Sequence, residues 1–232
     1  MARTRPAERF AQLRDAALAV FAAKGLRRAR MSDVARAMGL STGSLYNYVE
    51  SKEALFHWLV ELGPGGGPLA APARLPIPTP PPGATEARLR EVVAEGMRLP
   101  ALDAALARRR VTDARGELEG IVRELYERLE RSRGPAAAIE RSAIDRPELF
   151  ALYFRGARRQ LFASLARYLE KRARAGHFAE IGDPLVAARF VVESVAWFGW
   201  HRFSDPDPEA LPDAAAVRDE VVRRIVASFV RE

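Results

Sequence analysis

The chain has 232 residues, 48% of them hydrophobic, with 37 Lys/Arg against 30 Asp/Glu and a formal net charge of +7. This is enough apolar material for a sizeable core in one or two domains, and the basic balance favours an anionic partner. Cysteine is absent, which excludes disulfides and thiolate metal sites and suits a reducing cytoplasm. The opening Met-Ala-Arg-Thr-Arg-Pro leads into no apolar signal core. Arg189 and Glu193 interrupt the most apolar stretch, so neither an export leader nor a bilayer span is expected.

In chain order, residues 7–24 place Phe10, Leu13, Ala17, Val20 and Phe21 on one side of a helix that Gly25 closes. Residues 32–38 follow as a second helix, with Val34, Ala35 and Met38 turned inward. Gly39 supplies the left-handed residue that ends it, and Leu40 is a buried hinge. Ser41 is suited to cap a third helix anchored by Leu45 and Val49. Thr42, Gly43, Ser44, Tyr46, Asn47 and Tyr48 remain for its outer faces. Small residues at a helix start allow close approach to base edges, while tyrosine hydroxyls and an asparagine can bond phosphate or adenine. Two short helices about a glycine turn read as a helix-turn-helix aimed at the major groove. The alternative is a surface hairpin whose tyrosines serve packing. Ser51 caps a further helix, with Glu53 in its first turn and Leu55, Phe56, Trp58, Leu59 and Leu62 along it.

Charge agrees with this placement. Residues 1–60 hold ten Lys/Arg and five Asp/Glu, or +5, which leaves +2 for the rest. A concentrated positive field is what counterion release from phosphates requires. Arg27, Arg28 and Arg30 can reach the DNA backbone from their loop or form a solvated surface. Arg3 and Arg5 can form a minor-groove arm or a non-binding tail.

The segment Phe21-Ala-Ala-Lys-Gly25, Val34-Ala35, Gly39 to Val49 and Ser51-Lys-Glu-Ala-Leu55 resembles the tetracycline-repressor family of bacterial regulators. The match is dense over about fifty residues and architectural beyond them. The resemblance implies an all-α homodimer, a ligand pocket in the C-terminal part, and repression of a palindromic operator in double-stranded DNA released by an unidentified small molecule. It also implies DNA contacts at Thr42, Gly43, Ser44, Tyr46, Asn47 and Tyr48, with Lys52 on a phosphate; Arg28, Ser32 and Ser41 complete the expected set. Two departures stand out. Ala29 and Arg30 occupy positions where relatives usually carry hydroxyls, and the fourth helix stops near Leu62 instead of running onward.

Eight prolines and five glycines fall within residues 63–83, so these are expected to separate a head (1–62) from a helical sensing and dimerisation domain (84–232). Leu75 and Ile77 favour a polyproline strut laid on a core over a loose linker. Beyond it, helices are marked by Leu89 to Met97 and by Leu118 to Leu129, the latter broken at Gly134-Pro135. Others are expected around 136–142 and over 147–175, 183–203 and 213–231. The 183–203 helix is apolar nearly all round, which predicts burial on two sides. Val191, Val195, Phe198, Val221, Ile225 and Phe229 are the expected seam between two subunits, the alternative being one larger monomeric core. Glu193, Trp197, Trp200 and His201 fall on one helix face and, with Tyr153, Phe154 and Phe162, are the candidate ligand wall. The alternative for Glu193 is a pair with Arg189 one turn back. No catalytic, metal or cofactor site is expected. His57, His177 and His201 are scattered, and Gly65-Gly66-Gly67 follows no strand, so neither an enzyme nor a phosphate loop finds a foothold. A DNA-binding dimer that answers to a protein partner, or to nothing, is the remaining alternative.

Overall fold

The computed structural model describes residues 6–63, 72–205, 207 and 213–230. The candidate arm at Arg3 and Arg5 and the triple glycine of the linker lie outside these. Among the described residues the fold is all-α, with two isolated β-bridges and no strand. No helix there is long and apolar enough to cross a membrane. The chain divides into two compact units, one made of residues 1–96 and 134–156 and the other of 97–133 and 157–232.

The first unit begins with α1 (Pro6–Arg28), α2 (Met31–Ala37), α3 (Thr42–Leu45) and α4 (Lys52–Leu62). Phe10, Leu13, Ala17 and Phe21 recur at helical spacing along α1 and are buried. Phe21 meets Phe56 of α4 edge-on at 5.4 Å, and Phe10 meets Trp58 at 6.1 Å. Gly25 interrupts the helical path as its sequence suggests, at φ 71°, and a short further turn resumes beyond the kink. A Cβ there would also lie 2.9 Å from the carbonyl oxygen of Arg141, so glycine is required twice over.

The unit also takes in α5 (Ala84–Gly96), the last part of α7 (Ala114–Ile144) and α8 (Pro147–Phe150). A boundary at residue 84 is therefore not the one the structure draws. The bend at Gly25 leaves the buried Leu26 N–H without a helical acceptor, and the Ser142 hydroxyl accepts it at 3.0 Å while donating to the Ala138 carbonyl at 2.6 Å. Ser142→Ala strands that N–H and is expected to cost about 1–3 kcal/mol of stability, read from the urea midpoint.

The second unit holds α6 (Pro100–Ala107), the start of α7, α9 (Arg158–Arg174), α10 (Pro184–Gly199) and α11 (Ala214–Phe229). Asp183 and Asp213 cap α10 and α11, each accepting two backbone N–H groups. Leu118, Ile121, Leu165, Val191, Val195 and Ile225 are among the buried residues of its core. Arg172 is 1% exposed and donates to Glu117 at 2.7 Å and to the Ala105 carbonyl at 2.6 Å, which ties α9 to α7 and α6. Burial, then the charge of Glu117, pushes the Tyr168 hydroxyl beside this pair upward, so it stays a proton donor.

Three expectations about these helices are corrected. The chain does not break at Gly134-Pro135: α7 runs through Pro135, which has no N–H to give the carbonyl four residues back. The helix expected over 147–175 is α8, a π-helical stretch (Ala151–Ala157) and α9, closed at Gly176 with φ 76°. Finally, α10 stops at Gly199 and continues only as a 3-10 turn, His201–Ser204.

Candidate nucleic-acid interface

The site is built on α3, a helix of four residues. Ser41 caps α3 by accepting the Ser44 N–H at 3.0 Å, and its hydroxyl lies 2.8 Å from that of Ser44. Leu45 and Val49 are fully buried and hold the segment down. Regular helix ends at Leu45; residues 46–49 follow as a tight turn, with Asn47 N–H bonded to the Ser44 carbonyl and Tyr48 N–H to that of Leu45. The expected helix over 41–49 is therefore one turn plus its tightened continuation.

Ser41, Thr42, Gly43, Tyr46 and Asn47 are exposed on it, Tyr46 at 45%. A Cβ added at Gly43 would meet nothing nearer than the Ser41 hydroxyl oxygen at 3.9 Å, so the fold itself does not demand glycine there. Tyr48 is half-buried, its ring edge-on to Phe10 at 6.0 Å, which leaves less of it for a ligand than its position in sequence implies. Ser32, the second residue of α2, is likewise half-buried. The helix start that lacks a hydroxyl cap is served by Asp33, whose carboxylate accepts the Arg30 N–H at 3.0 Å and pairs with Lys24 at 2.8 Å. Lys24, then the Arg30 amide, holds the Asp33 carboxyl below the usual carboxylate range.

The basic groups around α3 are tethered but accessible. Lys52 at the start of α4 donates to the Arg27 carbonyl at 3.2 Å, and Arg28, half exposed, pairs with Asp145 at 3.3 Å. Both ion-pair partners and carbonyls of this kind can yield to phosphate, since exposed pairs are worth at most about 1 kcal/mol.

A family model for bacterial regulatory proteins of the tetR family matches residues 13–59, which contain α2, α3 and nearly all of α4. The match covers the head alone, and it is the head that is similar to that family. No curated protein matches the sequence. Among solved structures, the chain is similar to the ketosteroid transcriptional regulator KstR2 of Mycobacterium tuberculosis, at 17% identity and a TM-score of 0.59 over 100% of this chain and 98% of that one. It is similar to a tetR-family regulatory protein of Rhodococcus RHA1, at 20% identity and a TM-score of 0.52 over 97% of each chain. It is also similar to AibR, solved with isovaleryl coenzyme A and operator DNA, at 14% identity and a TM-score of 0.53 over 93% of this chain and 97% of AibR. At these identities the likeness is one of fold.

The remaining candidate residues distribute differently from expectation. Tyr153 and Phe154 belong to the first unit, whereas Phe162, Glu193, Trp197, Trp200 and His201 belong to the second. Glu193 is engaged by Arg158 at 2.7 Å and Arg189 at 3.3 Å, and both guanidiniums also lie over the Phe162 ring. Trp200 stacks on His201 at 4.6 Å, beyond the end of α10, so the two do not continue the helix face that carries Glu193 and Trp197.

The expected dimer seam is turned inside out. Val191, Val195, Val221, Ile225 and Phe229 are sealed in the core of their own unit, and Phe198 packs on it, so a partner cannot reach the first five. The face of α10 that remains open carries Leu185, Val186, Phe190 and Trp197. Because apolar residues surround the helix apart from the Arg189–Glu193 side, the stripe that faces its own bundle is decided by exposure.

Proposed function

We propose that this protein is a transcriptional regulator that binds a palindromic operator as a homodimer and represses until a small organic effector binds its C-terminal part. The observation that carries the reading is the Ser41-capped turn with Thr42, Gly43, Tyr46 and Asn47 outermost, where the fold leaves open space beside Gly43. Its function is recognition and not catalysis, and it acts in the cytoplasm. The second copy docks on Val186, Phe190 and Trp197 of α10, the largest run of apolar surface left open on one helix. Because two cations neutralise Glu193, an effector that enters beside Phe162 is neutral or anionic instead of cationic. AibR, which was solved with a coenzyme A thioester, has the same fold and supports a search among acyl compounds.

Footprinting on the DNA flanking the protein's own gene tests the reading. A symmetric site with half-sites about 34–36 Å apart is the expected result, and protection without symmetry contradicts it. Tyr46→Ala should lower affinity for that site by about 1–3 kcal/mol, and Lys52→Ala should reduce the slope of log affinity against log salt by about one. Titration of both variants over a salt series checks these two values, and unchanged binding in both removes the assigned roles.

A further inference from the structure

The described part of the proline-rich segment is built into the head. Between Pro76 and Pro82 only Ile77 and Thr79 possess a backbone N–H, and both are engaged by the stretch that joins α3 to α4. Ile77 N–H donates to the Tyr48 carbonyl at 2.8 Å, and Glu50 N–H donates back to the Ile77 carbonyl at 3.0 Å. Thr79 N–H donates to the Glu50 carboxylate at 2.9 Å, and its hydroxyl lies 2.7 Å from that of Ser51, the residue that caps α4. The Ile77 side chain is 7% exposed, so an apolar anchor backs the hydrogen bonds.

Isolated helices need roughly 12–15 residues to be even marginally stable in water, and α3 has four. Its geometry is therefore imposed from outside, by Leu45 and Val49 beneath it and by whatever fixes its downstream end. That end, residues 48–51, is where the strap attaches, between Tyr46 and Asn47 on one side and Lys52 on the other. We propose that Ile77 and Thr79 are positioning residues of the DNA interface, clamping the α3–α4 joint so that Tyr46, Asn47 and Lys52 meet the duplex in one fixed arrangement. The proposal rests on the DNA-binding reading above and adds to it a second, sequence-distant element. Backbone attraction between a basic head and phosphates tolerates small displacements. Base readout does not, because a binding constellation has to be held to within about 0.5 Å. The strap is therefore felt in discrimination between sequences.

The test uses the full-length protein, a duplex recovered by the wild type from a random-sequence library, and a scrambled duplex of equal length. Ile77→Ala removes the anchor and keeps the backbone bridge; Thr79→Pro removes the second N–H and the hydroxyl. Each should bind the recovered duplex about tenfold more weakly, the value of one well-placed base contact, with scrambled-duplex affinity and its salt slope unchanged. Ile77→Val should behave as the wild type. A parallel fall on both duplexes, with a lowered urea midpoint, shows that the strap merely holds the head folded and overturns the proposal. Unchanged binding on both overturns it too. If the wild type itself recovers no sequence, the DNA-binding reading fails first and this one with it, an outcome separate from anything the variants do.

Discussion

Phe190→Glu is expected to give a folded monomer whose operator affinity is lower by about 10²–10⁴, the advantage that linking two binding modules confers. Phe190 is 50% exposed, with Val186 at 65% one turn before it and Trp197 at 43% two turns after it. A C2 interface is self-complementary, so one substitution puts a carboxylate into it from each copy, and both must be desolvated without a partner. Because the side chain is open in the single chain, the substitution leaves the second unit's core untouched, and the urea midpoint extrapolated to low protein concentration should not move. Val191→Glu is the contrasting variant: that residue is fully buried, and the chain should fail to fold. Sedimentation and operator titration of the two variants separate the cases. A Phe190→Glu protein that remains dimeric at micromolar concentration shows that α10 is not the seam.

The second large effect concerns the ion pair inside the second unit. Arg172→Met leaves the Glu117 carboxylate, whose side chain is 4% exposed, without its main counter-charge and the Ala105 carbonyl without a donor. Breaking one side of a buried pair costs about 3–5 kcal/mol. Arg108, 3.5 Å from the other carboxylate oxygen, is largely solvent-facing and compensates little. Arg172→Met with Glu117→Leu removes both charges together and should recover most of the loss, since replacing the whole pair by apolar groups is often neutral. Equilibrium urea unfolding of the two single variants and the double variant gives the coupling directly. Additive losses would mean that the two groups act independently despite the 2.7 Å contact.

The head was legible because its signals are local. A cap at Ser41, a left-handed glycine at 39 and two anchors four residues apart each act within a single turn, and the structure realises all three. Helix continuity was less so. Gly134-Pro135 carries a strong break signal, yet one missing hydrogen bond is a small term beside the packing of a 31-residue helix. α6 went unread although Pro100 at its start and Leu102 and Ala105 on its inner face were signal enough. On α10 the contrast was weak: Arg189 and Glu193, one turn apart, are the only charges that mark its outward side in a helix otherwise mostly apolar. The helical face expected to run through Trp200 and His201 went past Gly199, the residue where α10 stops. In the strap the anchor Ile77 could be guessed from its isolation among prolines, but its backbone partners at Tyr48 and Glu50 lie 27–29 positions away and carry no mark in the sequence.

The alternation of proline with Ile77 and Thr79 has one more effect. An extended stretch along a protein's outside normally offers free amide hydrogens on which a neighbouring chain can build a growing sheet. Here five of the seven residues from 76 to 82 have none, and the two that do are already committed inward. This edge of the head thus offers no free amide hydrogen to a strand from a neighbouring chain, which disfavours sheet-like aggregation and leaves the pairing proposed for α10 untouched.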